Sequence, residues 1–151
     1  MPLKQQIVDQ TRDAMKAKDS VRVGCLRLLS AAIKNKEIEK RGELDDAECA
    51  RVLATLAKQR GESIEMYKRG ARQDLVDKEE AELRIIQSFL PKPLSDEELA
   101  TLVGEAVAET GASSPADMGK VMKALAQRTA GRVDGKKLSE AVKARLSEKQ
   151  G

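Results

Sequence analysis

Phe89-Leu90-Pro91-Lys92-Pro93-Leu94-Ser95-Asp96-Glu97-Glu98 decides the fold. Neither Pro91 nor Pro93 can continue a helix, and each drives the residue before it toward extended backbone, so a helix reaching Leu90 has to stop there. Four residues on, Ser95 and Glu98 have the spacing of a capping box, in which each side chain satisfies the other's free backbone N–H. One helical body closes and another opens within ten residues. The expected organisation is residues 1–90 as an N-terminal domain, 91–94 as a Pro-rich linker and 95–151 as a C-terminal domain.

Upstream of the prolines, the apolar residues recur at helical spacing. Leu3, Ile7, Thr11 and Ala14 with Met15 predict a first helix to about Lys18, and Asp19 is placed to cap a second. In that second helix Val21, Cys25, Leu28 and Ala32 form one stripe and Leu26, Leu29 and Ile33 a neighbouring one, a face wide enough for two partner helices. Gly42 is the expected C-cap. Asp45 with Glu48 opens a third helix carrying Cys49, Val52, Leu53, Leu56, Ile64 and Tyr67, and Gly70 ends it. Gly61 inside it costs about 1 kcal/mol relative to alanine, which suggests a close helix contact or a bend. Asp74 and Asp77 open a fourth, with Leu83, Ile86, Phe89 and Leu90 inward.

Downstream, Leu99, Leu102, Val103, Ala106 and Val107 predict a fifth helix ending at Gly111. Ser114-Pro115-Ala116-Asp117 begins a sixth with proline at the first position, and Asp134 caps a seventh that turns Leu138, Val142 and Leu146 inward. The fold class is therefore all-α: a four-helix bundle followed by a three-helix bundle. The second is small, and a domain of about 60 residues buries only about 60% of its chain surface.

Composition agrees and narrows the chemistry. In 151 residues there is one Phe, one Tyr and no Trp, a poor supply for a sheet. The chain contains no histidine, which removes the commonest general base, the commonest metal ligand and every Ser-His or Cys-His nucleophile arrangement. Cys25 and Cys49 are too few and too far apart for a zinc site and lie among apolar residues, as buried thiols do. Glu79, Glu80 and Glu82 could suggest a magnesium site. Neighbours 79 and 80 diverge by about 100° on a helix, and acids are favoured in early helical turns, so no catalytic group, metal or cofactor is expected. No apolar leader opens the chain and no apolar run approaches the roughly 20 residues of a membrane span, so the expected location is the cytoplasm, with no membrane partner.

Charge is distributed unevenly. Residues 1–44 hold ten Lys and Arg against six acids, residues 45–110 nine against fifteen, and residues 111–151 nine against four. Two basic ends around an acidic middle suit a protein that meets a polyanion with particular faces. The densest basic stretch includes Gly119-Lys120-Val121-Met122-Lys123, Arg128, and Gly131-Arg132-Val133-Asp134-Gly135-Lys136-Lys137. Helix openings present unpaired N–H groups, so Lys120, Lys123, Arg128, Arg132, Lys136 and Lys137 form a candidate phosphate-binding set, with Gly119, Gly131 and Gly135 as its structural motif. An equally good alternative makes the glycines a cap, a turn and a close helix crossing, and the lysines solvated surface. A secondary basic face is Arg27, Lys34 and Arg41, spaced by seven; Lys58, Arg60, Lys68, Arg69 and Arg72 add to the third helix and its exit. Glutamates nearby suggest ordinary ion pairs for these. With no aromatic free to stack bases, any recognition would read backbone shape.

The stretch Leu26-Arg27-Leu28-Leu29-Ser30-Ala31-Ala32-Ile33-Lys34-Asn35-Lys36-Glu37-Ile38-Glu39, with Lys58-Gln59-Arg60-Gly61-Glu62-Ser63-Ile64, the Pro91-Pro93 joint and the glycine-lysine motif, resembles the GatB/YqeY family. Over nearly its whole length the chain is similar to the free-standing YqeY-like proteins. The resemblance implies two helical bundles and a module like the tail of the B subunit of the tRNA-dependent amidotransferase, which serves the Glu-tRNA(Gln)/Asp-tRNA(Asn) pathway. Related modules extend some glutaminyl-tRNA synthetases. It implies tRNA as partner, met through the C-terminal unit, and as an alternative a module that docks on an amidotransferase or aminoacyl-tRNA synthetase through faces beside the proline linker. The amidotransferase's own chemistry lies in domains that nothing here resembles. Activity as a carbon-nitrogen ligase with glutamine as amido donor would be a label inherited from the shared module.

Overall fold

In a computed structural model that describes residues 2–150, with the side chains of residues 149 and 150 left aside, the described residues form α-helices and one short 3-10 turn. The helices are α1 (Leu3–Lys16), α2 (Ser20–Lys40), α3 (Asp46–Arg69), α4 (Gln73–Gln87), α5 (Asp96–Thr110), α6 (Met118–Thr129) and α7 (Gly135–Gln150). The chain divides into two compact units, Met1–Pro91 and Lys92–Gly151. Lys92 to Leu94 belong with the second: Leu94 is buried in its core and its N–H donates to the Arg132 carbonyl at 2.9 Å.

In the first unit, α1 to α4 close around Ile7, Cys25, Leu26, Leu29, Ile33, Cys49, Leu53 and Ile86, with Leu44 and Phe89 sealing the edges. The second surrounds Val103, Ala106, Val107, Val121, Leu125, Val142 and Leu146 with α5, α6 and α7. Side-chain caps start several of these helices where the sequence places them. Asp19 accepts the Arg22 N–H at 3.1 Å. Asp45 with Glu48, and Ser95 with Glu98, form complete capping boxes. Gly111 takes the left-handed φ of 68° that ends α5.

Several local expectations are corrected. The residue that caps α2 is the left-handed Arg41 (φ 62°), one before Gly42, whereas Gly70 caps α3 as expected and the left-handed φ of 55° falls on Ala71 after it. The structure opens α4 at Gln73 without a side-chain cap, because Asp74 accepts from the Arg72 guanidinium and Asp77 from the Gln73 amide. Pro115–Asp117 forms a 3-10 turn, so α6 starts at Met118. Val21 and Leu28, expected inward, are 60% and 52% exposed, although Cys25 of the same stripe is buried in the core. Gly61 sits in an unbroken α3 with open space where a Cβ would go, so no close helix contact explains it.

Candidate nucleic-acid interface

Helix α5 carries the acids that meet the basic motif. Near its start, Asp96 holds Lys137 at 2.6 Å and Glu98 lies 3.7 Å from Arg132, whose Nε also donates to the Lys92 carbonyl at 3.0 Å. Near its end, Glu109 holds Arg128 at 2.8 Å. Glu98 and Glu109 are about 16 Å apart along the axis at the standard helical rise, so the six cations do not gather at one point. These pairs also act on the acids: the Lys137 ammonium holds the Asp96 carboxyl below its ordinary value, and bonds from Ser95 do the same for Glu98.

Lys120, Lys123 and Lys136 stand apart from this set, exposed to solvent. Lys120 reaches Asp117 only at 3.9 Å, and that carboxylate already accepts the Ser113 and Ser114 N–H groups at 3.0 and 3.3 Å. Lys123 and Lys136 meet no acid among the described residues. Lys143, two turns beyond Lys136 on α7, is likewise exposed. It escaped the motif-based selection, although its spacing of seven from Lys136 is the signal that finds it.

The three glycines separate by role. Gly131 has φ 75°, a conformation costly for any residue with a Cβ, so it serves the turn between α6 and α7. Gly119, the second residue of α6, and Gly135, the first of α7, are exposed with open space where a Cβ would sit. Internal packing requires neither. Of the helix openings, that of α7 is partly taken: Asp134 accepts the Lys136 N–H at 3.1 Å. Side-chain ammonium groups, more than free backbone amides, are therefore what this surface presents to solvent.

The secondary face is less coherent. Arg27 and Lys34 are exposed on α2, Arg27 touching the Met15 sulfur at 3.9 Å, whereas Arg41 lies past the helix in a left-handed cap. Arg60 is unavailable, since its Nε lies 2.8 Å from Glu82 and 3.3 Å from Glu79 with all three side chains under a fifth exposed. This pairing also accounts for two of the glutamates weighed as a metal site. No cluster of three or more metal-ligating side chains occurs among the described residues. Both thiols are free and buried; burial raises Cys25 and pushes Cys49 up to about 11, so neither offers a thiolate near neutral pH.

The family pattern described as "Yqey-like protein" matches residues 4–146. The chain belongs to the YqeY-like family. Its curated relatives include proteins named "Altered inheritance of mitochondria protein 41, mitochondrial". The one from Lachancea thermotolerans is 37% identical over 107 residues, covering 69% of this chain and 57% of that protein. That from Eremothecium gossypii is 41% identical over 80 residues, covering 52% and 44%, and that from a Saccharomyces cerevisiae strain 36% over 88 residues, covering 57% and 48%. The YqeY-like chain thus spans about half the length of these relatives. Their names overturn the cytoplasmic expectation. The physical reason is plain: a charged helical surface without a membrane-spanning helix is equally suited to any aqueous compartment, so composition never addressed the choice between them.

Proposed function

We propose that this YqeY-like chain is a non-catalytic accessory module that binds tRNA, with Lys120, Lys123 and Lys136 as principal phosphate contacts and Lys143 beside them. Lys137, Arg132 and Arg128 make solvent-exposed pairs with acids of α5, and Lys137 can exchange Asp96 for phosphate at the surface. The observation that carries this is the coincidence of exposed lysines, held loosely at Lys120 and by no acid among the described residues at Lys123 and Lys136, with Gly119 and Gly135, two helix-start positions left bare without any packing reason. A missing side chain there lets a bulky backbone approach the helix closely. No ring is offered for base stacking, so the surface suits the phosphates of a folded RNA. The tRNA-dependent amidotransferase pathway is the setting in which the module would present its tRNA.

The test is fluorescence anisotropy with a folded tRNA and an unstructured RNA of equal length. Three to four phosphate contacts give a salt slope of about −2.1 to −3.6, so affinity should fall roughly 20- to 150-fold between 50 and 200 mM salt. Folded tRNA should bind tighter than the unstructured strand at both concentrations. Equal and very weak binding of both would end the proposal. The purified chain should hydrolyse no ATP when given glutamine and charged tRNA; turnover would replace the accessory role with an enzymatic one.

A further inference from the structure

The first unit carries a groove of about 290 Å³ unrelated to the cations above. On α3 it is lined by Glu48, Arg51, Val52, Thr55 and Leu56, spaced i, i+3, i+4, i+7 and i+8, so one wall is a single helical face two turns long. Leu44, from the loop before α3, and Lys36, near the end of α2, complete it. Its apolar part is firm: Leu44 is buried, and Val52 and Leu56 pack against the core with part of each side chain left in the groove.

The polar groups here are unevenly occupied. Glu48 is spent, accepting Lys40 Nζ at 2.7 Å and the Asp45 N–H at 3.1 Å. Thr55 donates to the Arg51 carbonyl at 3.1 Å, and Arg51 Nε donates to the Ala47 carbonyl at 3.4 Å. The terminal guanidinium nitrogens of Arg51 meet no acid among the described residues. Lys36 holds Glu39 at 3.2 Å in a solvent-exposed pair that an incoming acid can exchange. The groove thus offers an apolar surface with a free guanidinium and a loosely held ammonium at its rim. Its complement is an apolar side chain with a carboxylate next to it.

We propose that this groove docks a short amphipathic segment of a protein partner, apolar on one face and acidic beside it, independently of the RNA-binding proposal. The shape favours this occupant. Small-molecule sites enclose most of their ligand, whereas an open groove two helical turns long suits one or two large side chains of a helix laid along it. Nucleic acid is disfavoured by the apolar lining and the absence of a ring among the lining residues.

The probe is a helix-forming peptide of Leu, Phe, Ala and Glu, titrated into the isotope-labelled full chain and followed by NMR, with its Lys-for-Glu counterpart as control. The Glu peptide should shift Leu44, Val52, Thr55 and Leu56 with a Kd below about 1 mM, and its Lys counterpart should bind at least about tenfold more weakly. Arg51→Glu should cut affinity by a similar factor, and Thr55→Arg, at an exposed position, should block the groove while the melting temperature stays unchanged. The inference is overturned if the Glu peptide leaves these resonances unmoved at millimolar concentration, if the two peptides bind alike, or if Arg51→Glu has no effect. Movement of the same resonances by tRNA, with none by the peptide, would overturn it in favour of RNA.

Discussion

Arg60→Met is the substitution that separates a structural cation from a surface one. Arg60 links α3 to α4 through Glu82 at 2.8 Å and Glu79 at 3.3 Å, with side-chain exposures of 19, 12 and 17%. Glu79 Oε2 is itself buried without a well-aligned hydrogen-bond donor, so the guanidinium's charge is its main compensation. Methionine keeps the apolar stem of arginine but leaves two carboxylates one helical turn apart without a cation. Removing one partner of a fully buried pair costs about 3–5 kcal/mol, and the residual exposure here lowers that to about 2–4 kcal/mol. In a unit of this size that corresponds to a fall in melting temperature of roughly 10–25 °C. Urea denaturation followed by circular dichroism reads the loss. Adding Glu79→Gln and Glu82→Gln to Arg60→Met should restore most of it, because the uncompensated charge is the cause. A cost under about 1 kcal/mol, or no rescue by the glutamines, would refute the argument and return Arg60 to the surface cations.

Gly61→Ala should stabilise the first unit by about 0.5–1 kcal/mol in urea melts, since the position is helical with open space for a Cβ; a destabilised variant would show a packing need that the fold lacks. Leu146→Ala removes a fully buried side chain from the second unit at a cost of about 2–5 kcal/mol, comparable with everything so small a core supplies. Helical signal equivalent to α5, α6 and α7 should therefore be lost before that of α1 to α4, and a single unaltered transition would count against it. Glu37 accepts Lys4 Nζ at 2.8 Å and the Leu44 N–H at 2.9 Å, which lowers its folded-state pKa below the ordinary 4.5. Its contribution is complete above that value and disappears as pH falls through the lower folded one; melts between pH 6 and 3 should show this, with a flatter profile in Glu37→Gln.

How far the sequence could be read depended on whether a feature was local. Capping boxes at Asp45 and Ser95 are four-residue devices, and both formed where the spacing placed them. Helical period also identified the parts of the second unit's core on α5 and α7, Leu99, Val103, Ala106 and Val107 with Leu138, Val142 and Leu146, but not Val121 and Leu125 of α6. It could not say which residues of the broad α2 face find a partner: Cys25, Leu26, Leu29 and Ile33 did, Val21 and Leu28 did not. Gly70 caps α3 where the sequence placed it, but the cap of α2 fell to the left-handed Arg41 instead of Gly42, because the hydrogen bonds closing a helix set its last residue more strongly than the cost of a Cβ does. The candidate site was legible as a list of cations but not as an arrangement. Arg60 and Arg128 look alike in sequence to Lys123, yet acids 19 or more residues away hold the first two, and such long-range pairing has no local signature.

Titrating labelled tRNA with the unaltered chain and with Lys136→Glu/Lys137→Glu, at 50 and 200 mM salt, tests the central claim most directly. The account predicts that the double charge reversal weakens binding by at least about tenfold at low salt, flattens the salt slope by about one to two units and leaves the helical content unchanged. Binding of equal strength and equal salt dependence by the two proteins would contradict it.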